Sequence, residues 1–216
     1  MCWNAPVSLL TFLTSILLCG YIWKRNKQND RPLSLWIACF SLMQLFEFFM
    51  WRDMKNHTLV SKISLIAVLA QPLTLAASLY YYNALKNTLW EKCILLGIIG
   101  IMLLKIAVAA AYALADKQEW LSVVGSNCHL VWWFVAQRKR MPWLARVDVF
   151  FYLSLFLGTL LIKPFKMALL YNLIGTLTLI VTRLFYTNET GSVWCWISNI
   201  LALLTLARPY IMNPVV

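Results

Sequence analysis

Residues 33–51 read LSLWIACFSLMQLFEFFMW. A bilayer's hydrocarbon core, about 30 Å thick, takes roughly 20 helical residues to cross, and this stretch is apolar almost throughout and just long enough. It nevertheless carries Gln44 and Glu47, one helical turn apart. An ionised carboxylate facing lipid is unfavourable, so Glu47 must be neutralised, paired or turned toward protein or water. The other helices are therefore expected to gather around this one.

The rest of the chain shares its character. The 216 residues are 62% hydrophobic and 12% charged, with a mean hydropathy of +0.71, whereas soluble domains are about half apolar and a quarter charged. This predicts an all-α, polytopic integral membrane bundle forming a single domain over 1–216. Apolar runs fall at 7–23, 33–51, 61–85, 92–115, 147–162, 167–186 and 193–211. No Lys or Arg precedes the first run, and Lys24, Arg25, Lys27 and Arg31 follow it, the reverse of a signal peptide. The positive-inside rule then places the amino terminus outside or in a lumen and the 24–31 loop in the cytoplasm. The net charge of +11 sits mostly in short clusters between runs, which suits orientation in, and contact with, an anionic lipid bilayer. No nucleic-acid-binding module or long basic arm is present, so nucleic acid is not an expected partner.

The stretch 116–146 decides the number of spans. Its segment 120–137 is moderately apolar, but Ser126, Asn127, Cys128 and His129 interrupt it, and Trp120, Trp132, Trp133 and Trp143 suit a membrane–water boundary. Read as an outer, interfacial connection, 116–146 leaves seven transmembrane helices; counting 120–137 as a span gives eight. With seven, the sequons at Asn56 and Asn188 face the same outer side, as do Cys2 and Cys195, and the carboxyl terminus is cytoplasmic. The basic group Arg138, Lys139, Arg140 and Arg146 then faces outward. With eight, that group becomes cytoplasmic and takes Asn188 with it. Seven is the preferred count.

Several separated pieces carry a resemblance. They are Met1-Cys2-Trp3, the run MQLFEFFMW at 43–51, Gln71-Pro72, Cys128-His129-Leu130 with Trp132-Trp133, Lys163-Pro164-Phe165-Lys166, and GSVWCW at 191–196. In this order they resemble a family of small multi-span membrane proteins of unknown function from large DNA viruses of protists and marine microbes. The resemblance implies a seven-helix bundle with the Cys-His-Leu stretch in an outer connection. It brings no activity, cofactor or catalytic residue. Residues 121–124 and 130–135 are more apolar than that family's connection, which keeps the eight-span alternative open.

Two constellations stand out. Glu47 and Lys105 enter from the same side and reach similar depths, at about 1.5 Å per residue, so they can pair; Gln44 shares the face of Glu47, and Gln71 comes from the opposite side to mid-membrane. Pro72 beside it predicts a kink. The cluster Gln44, Glu47, Gln71 and Lys105 reads either as a polar cavity for a small solute or ion, or as a structural network fixing helix packing, or with Lys105 snorkelling away. On the outer side, Cys2, Cys128 with His129, and Cys195 read as a disulfide between two of the three thiols, as a redox or soft-metal site, or as unpaired thiols beside Trp3, Trp194 and Trp196. No zinc spacing is present, and Cys19, Cys39 and Cys93 read as small core residues. Arg183 is placed to snorkel or to pair with Glu189. Asn172 and Asn199 are intramembrane amides able to bridge helices.

The chain has no HExxH, no GxSxG and no paired intramembrane aspartates, and its last run holds no lysine for a retinal Schiff base. The functional expectation is a small-solute or ion binding or transport bundle. The alternative is a non-catalytic structural or interaction protein of a viral or organelle membrane.

Overall fold

A computed structural model describes residues 4–27, 29–84 and 88–212. The chain begins with four long helices: α1 (Ala5–Arg25), α2 (Asp30–Arg52), α3 (Thr58–Tyr81) and α4 (Leu89–Ala115). Local chemistry sets their ends. Asn4 accepts from the Val7 amide at 3.1 Å, and Thr88 from the Glu91 amide at 3.4 Å, each taking up an N–H that a helix start leaves unpaired. Between α1 and α2 the chain turns through Asn26 and Asn29 at φ 48° and 60°, a left-handed geometry that asparagine tolerates. Arg25 closes that turn on Asp30, Nε to Oδ2 at 2.7 Å.

The stretch containing Glu47 lies at the centre. In α2 and α3, 61% of the most apolar window is buried, against 22%, 28% and 17% in α1, α4 and α7 (Phe165–Phe185). Helix α2 packs on α1 and α3, and α3 packs on α4 and α6 (Val149–Leu160). The peripheral helices turn leucines outward, among them Leu10 and Leu17 of α1, Leu103 and Leu104 of α4, and Leu173 and Leu177 of α7. Apolar faces of that extent suit hydrocarbon better than water.

Six helical segments are long and apolar enough to cross a membrane: α1, α2, α3, α4, α7 and Thr190–Ile211. The last is broken at Asn199 into α8 (Thr190–Ser198) and α9 (Ile200–Met212). The expected span 147–162 forms only α6, a helix of 12 residues. At 1.5 Å per residue that is about 18 Å, short of the roughly 30 Å of a hydrocarbon core. Its start explains the shortfall. Asp148 caps α6, accepting from the amides of Phe150 and Phe151 at 3.1 and 3.3 Å, and the same carboxylate holds Lys105 Nζ at 3.1 and 3.2 Å. Lys105 lies in the middle of α4, so α6 begins inside the bundle. Its far end is fixed where Lys163 meets Glu91 of α4 at 2.8 Å.

Residues 120–137 do not form a span, which removes the eight-span alternative. They hold the hairpin of β1 (Val123–Val124) and β2 (Leu130–Val131), antiparallel with Val123 opposite Val131 and Val124 opposite Leu130, followed by α5 (Trp133–Ala136). The polar run Ser126–His129 forms the hairpin turn, with Cys128 at φ 61°. Two 3-10 turns, Arg138–Arg140 and Trp143–Ala145, carry the chain back along α4 to Asp148. Irregular backbone at that depth has to be covered by protein, and the second turn packs on α4 with Ala145 fully buried.

This cap docks on the α2–α3 turn. The Ser122 amide donates to His57 Nε2 at 2.8 Å, and His57 Nδ1 donates to the Asp53 carbonyl at 2.8 Å. The Trp120 amide donates to Thr58 Oγ1 at 3.1 Å, and the Trp120 and Trp133 rings stack at 4.2 Å. The sequon asparagines Asn56 and Asn188 are exposed, and both lie at this end of the bundle, one residue from His57 and Glu189 respectively.

Candidate functional site

Glu47 faces the cap and is fully buried. Its Oε1 accepts from Trp132 Nε1 at 3.0 Å. Trp132 reaches it because the hairpin ends one residue earlier and because Gly191, at the start of α8, leaves room; a Cβ there would lie 2.6 Å from the Trp132 ring. Gln44 and Ser192 flank the carboxyl group, yet Glu47 Oε2 and both amide atoms of Gln44 make no hydrogen bond. Gln71 of α3 is equally buried with both amide atoms unpaired, and it neighbours the Cys195 thiol. A buried group of this kind costs about 1–3 kcal/mol until a water or a solute meets it.

Lys105 does not join this cluster. Glu47 and Lys105 do not pair as expected: Lys105 is bound by Asp148, while Glu47 is bound by the Trp132 indole. The two residues approach α3 from different sides, since α2 and α4 both pack on it. Equal depth allowed the pair; the faces of the helices did not.

Beside the cluster lies a cavity of about 710 Å³, within the roughly 300–1,000 Å³ usual for small-molecule sites. Its inner wall is Val68 and Gln71 of α3 with Trp194 and Cys195 of α8. Phe151 and Tyr152 of α6, Leu179 and Ile180 of α7, and Trp132 and Phe134 of the cap form the sides. Arg138, Arg146 and Arg183 stand at the cap end, with Asp148. Pro72 has no N–H, so the Val68 carbonyl loses its helical partner at the same wall. Glu47 and Gln44 do not line the cavity; Trp132 and Gln71 stand between.

The outer thiols and His129 separate. Cys128 is disulfide-bonded, and Cys2 lies outside the described residues. Cys195 carries a free thiol, buried in α8 beside Gln71, so it takes no part in a disulfide with Cys128. Among the described residues no three His, Cys, Asp or Glu side chains form a metal-binding group. His129 packs edge-on against Tyr186 with ring centroids 5.3 Å apart. Burial lowers its pKa below the usual histidine value, against the opposing charge of Glu189. Cys19 and Cys39 are buried, while Cys93 is a free, exposed thiol on α4.

Of the intramembrane amides, Asn199 is a bridge: its Oδ1 accepts from Ser15 Oγ of α1 at 2.8 Å and Ser41 Oγ of α2 at 2.9 Å. Among the described residues Asn172 bonds only within its helix, to the Ala168 carbonyl. Arg183 lines the cavity and makes no ion pair with Glu189, whose Oε1 instead accepts from the Asn127 amide at 2.9 Å. Sequence reasoning missed Asp148 and the inward role of Trp132. The signal for Asp148 was an acid placed directly before an apolar run, a helix-start pattern; for Trp132 there was none, because tryptophan in a boundary segment reads as an anchor.

No family model, no curated protein and no solved structure matches the chain, so the reading of the site rests on its own chemistry.

Proposed function

We propose that the protein is an integral membrane bundle of seven crossing segments that binds a small solute in the cavity between α3, α6, α7 and α8. In this reading α6 and the irregular chain before it cross together, with the amino terminus outside and the carboxyl terminus cytoplasmic. The positive-inside rule supports that orientation through the short loop after α1, which carries Lys24, Arg25, Lys27 and Arg31; the opposite end of the bundle carries Arg138, Lys139 and Arg140 in the longer connection.

The observation that carries binding is Gln71. It lies near mid-helix in α3, lines the cavity, and has two buried amide atoms without partners. A solute offering a donor or acceptor there would pair with amide atoms that the protein itself leaves without a partner. Transport would begin with the same step, with Gln44 and Glu47 the next polar groups inward.

Native mass spectrometry of the protein released from a mild neutral detergent tests this. The expected result is a retained small-molecule adduct that Leu179→Trp, filling the cavity, removes. Leu177→Trp, on the exposed face of the same helix, should leave it in place. Wild-type protein without an adduct, or an adduct indifferent to Leu179→Trp, would refute binding in this cavity.

A further inference from the structure

The cavity is electrically lopsided. Three arginines, Arg138, Arg146 and Arg183, line its cap end, and the one acid beside them, Asp148, is already committed to Lys105 and to the start of α6. Arg146 is anchored by backbone carbonyls, with Nε donating to Met141 at 2.8 Å. Arg138 and Arg183 are exposed at this mouth, have no side-chain hydrogen bond or ion pair within the described residues, and line the cavity together with Tyr152. Glu189 is buried and turned into the hairpin. The mouth therefore carries cationic donors that no carboxylate of the cap neutralises.

Deeper in, the walls are aromatic and aliphatic: Phe151, Trp132, Trp194, Ile180 and Leu179. A small inorganic anion would satisfy the mouth but leave this surface with nothing to cover it. A neutral hydrocarbon would cover the walls and leave the arginines unanswered. Gln71, at the far side, asks for a hydrogen-bonding group.

We infer that the solute is an anionic amphiphile: an acidic head held by Arg138, Arg183 and the Tyr152 hydroxyl, an apolar body against the aromatic wall, and a neutral polar group meeting Gln71. This rests on the cavity being a binding site and names the chemistry that it selects. Guanidinium groups suit carboxylate and phosphate heads through paired N–H donors. The head can belong to a free fatty-acid-like molecule or to a bilayer lipid, and both offer the same chemistry to the mouth.

The test uses the full chain in phosphatidylcholine nanodiscs, titrated with ω-hydroxy fatty acids of increasing chain length and followed by native mass spectrometry. Matched unsubstituted fatty acids, α,ω-diols and alkyltrimethylammonium ions serve as comparisons. The ω-hydroxy acid of best length should bind most tightly, with the diol and the cation at least about tenfold weaker, each tenfold being about 1.4 kcal/mol. Arg183→Gln and Arg138→Gln should each weaken the acid about tenfold without changing the diol. Arg140→Gln, which removes a neighbouring charge that does not line the cavity, should change nothing. Gln71→Leu should erase the preference for the ω-hydroxyl. Nanodiscs containing phosphatidic acid should compete with the probe if a lipid head can occupy the mouth, and leave it unaffected if the site takes only the free amphiphile; either result agrees with an acidic head.

Equal binding of acid and diol, no effect of either arginine substitution, or no binding of any acid in the series overturns the anionic assignment. In those cases the adduct lost on Leu179→Trp still stands for a binding site of other chemistry. An adduct that survives Leu179→Trp removes the binding site itself. A fatty acid that binds as tightly as its ω-hydroxy partner overturns the contact with Gln71.

Discussion

Glu47 and Asp148 are both carboxylates drawn away from the ends of the bundle, yet their surroundings differ. Asp148 receives Lys105 Nζ on both oxygens and the first amides of α6. Glu47 receives one indole N–H, and no cation lies within ion-pair distance of it among the described residues. The first acid is consumed by architecture: it neutralises a lysine and fixes where a helix starts. The second retains an unpaired oxygen in the company of two unpaired amides. Spare hydrogen-bonding capacity, more than burial, distinguishes the region proposed to work from the region that holds.

The contrast predicts unequal sensitivity, largest at Asp148. Asp148→Ala leaves Lys105, only 1% exposed in its side chain, charged and alone. Breaking a buried pair in that way costs about 3–5 kcal/mol, and the lost helix cap adds about 1 kcal/mol. Chemical unfolding in detergent should show a drop of that size. The double variant Lys105→Met with Asp148→Asn should recover most of it, since replacing both partners removes the stranded charge. A single variant as stable as the wild type would mean that Asp148 is not the anchor described.

Asp148 also marks what could be read from the sequence. Six long helices are visible because hydropathy is a property of composition, summed over many residues and insensitive to any one contact. The shortened α6 is not visible, because its start is decided by Lys105, more than forty positions away in the chain. The same limit governed the site. Gln44, Glu47 and Gln71 stand out as polar residues in apolar runs, and all three are fully buried. Their partners cannot be seen that way, because depth along a helix can be counted whereas the face it presents depends on neighbours. Trp132 is the clearest case: a side chain suited to the interface turns inward because Gly191 makes space and Glu47 lacks a donor.

The Glu47 side of the comparison should respond less, and in a graded way. Trp132→Phe leaves the carboxyl group with no donor, and Glu47→Leu leaves the indole N–H with no acceptor. Each should lower stability by about 1–3 kcal/mol, the cost of a buried group left unsatisfied. Glu47→Gln keeps an acceptor for Trp132 and should stay within about 1 kcal/mol of wild type. Measured under the same unfolding conditions, these three variants order the contributions of charge and hydrogen bond. If Glu47→Gln proves as damaging as Asp148→Ala, Glu47 is a structural acid like Asp148 and the comparison fails.

The smallest effect should come from pH, acting on the cap that delivers Trp132. His129 occupies the hairpin turn beside β2 and packs on Tyr186. Its folded pKa lies below the unfolded value of about 6.5 because burial disfavours the charged ring, with Glu189 acting in the opposite direction. The neutral ring is therefore the one the fold accepts. Its contribution is complete above the unfolded pKa and is lost as pH falls toward the lower folded value, because only the unfolded chain gains the proton in that interval. Between about pH 7 and about pH 5 the hairpin amides should exchange with solvent faster, while the α4–α6 contact, held by Lys105 and Asp148, should keep its protection. His129→Gln should flatten the pH response and leave the neutral-pH stability nearly unchanged. Exchange that accelerates equally in both regions would show that acid acts on the bundle as a whole and that the cap is not a separately loosened element.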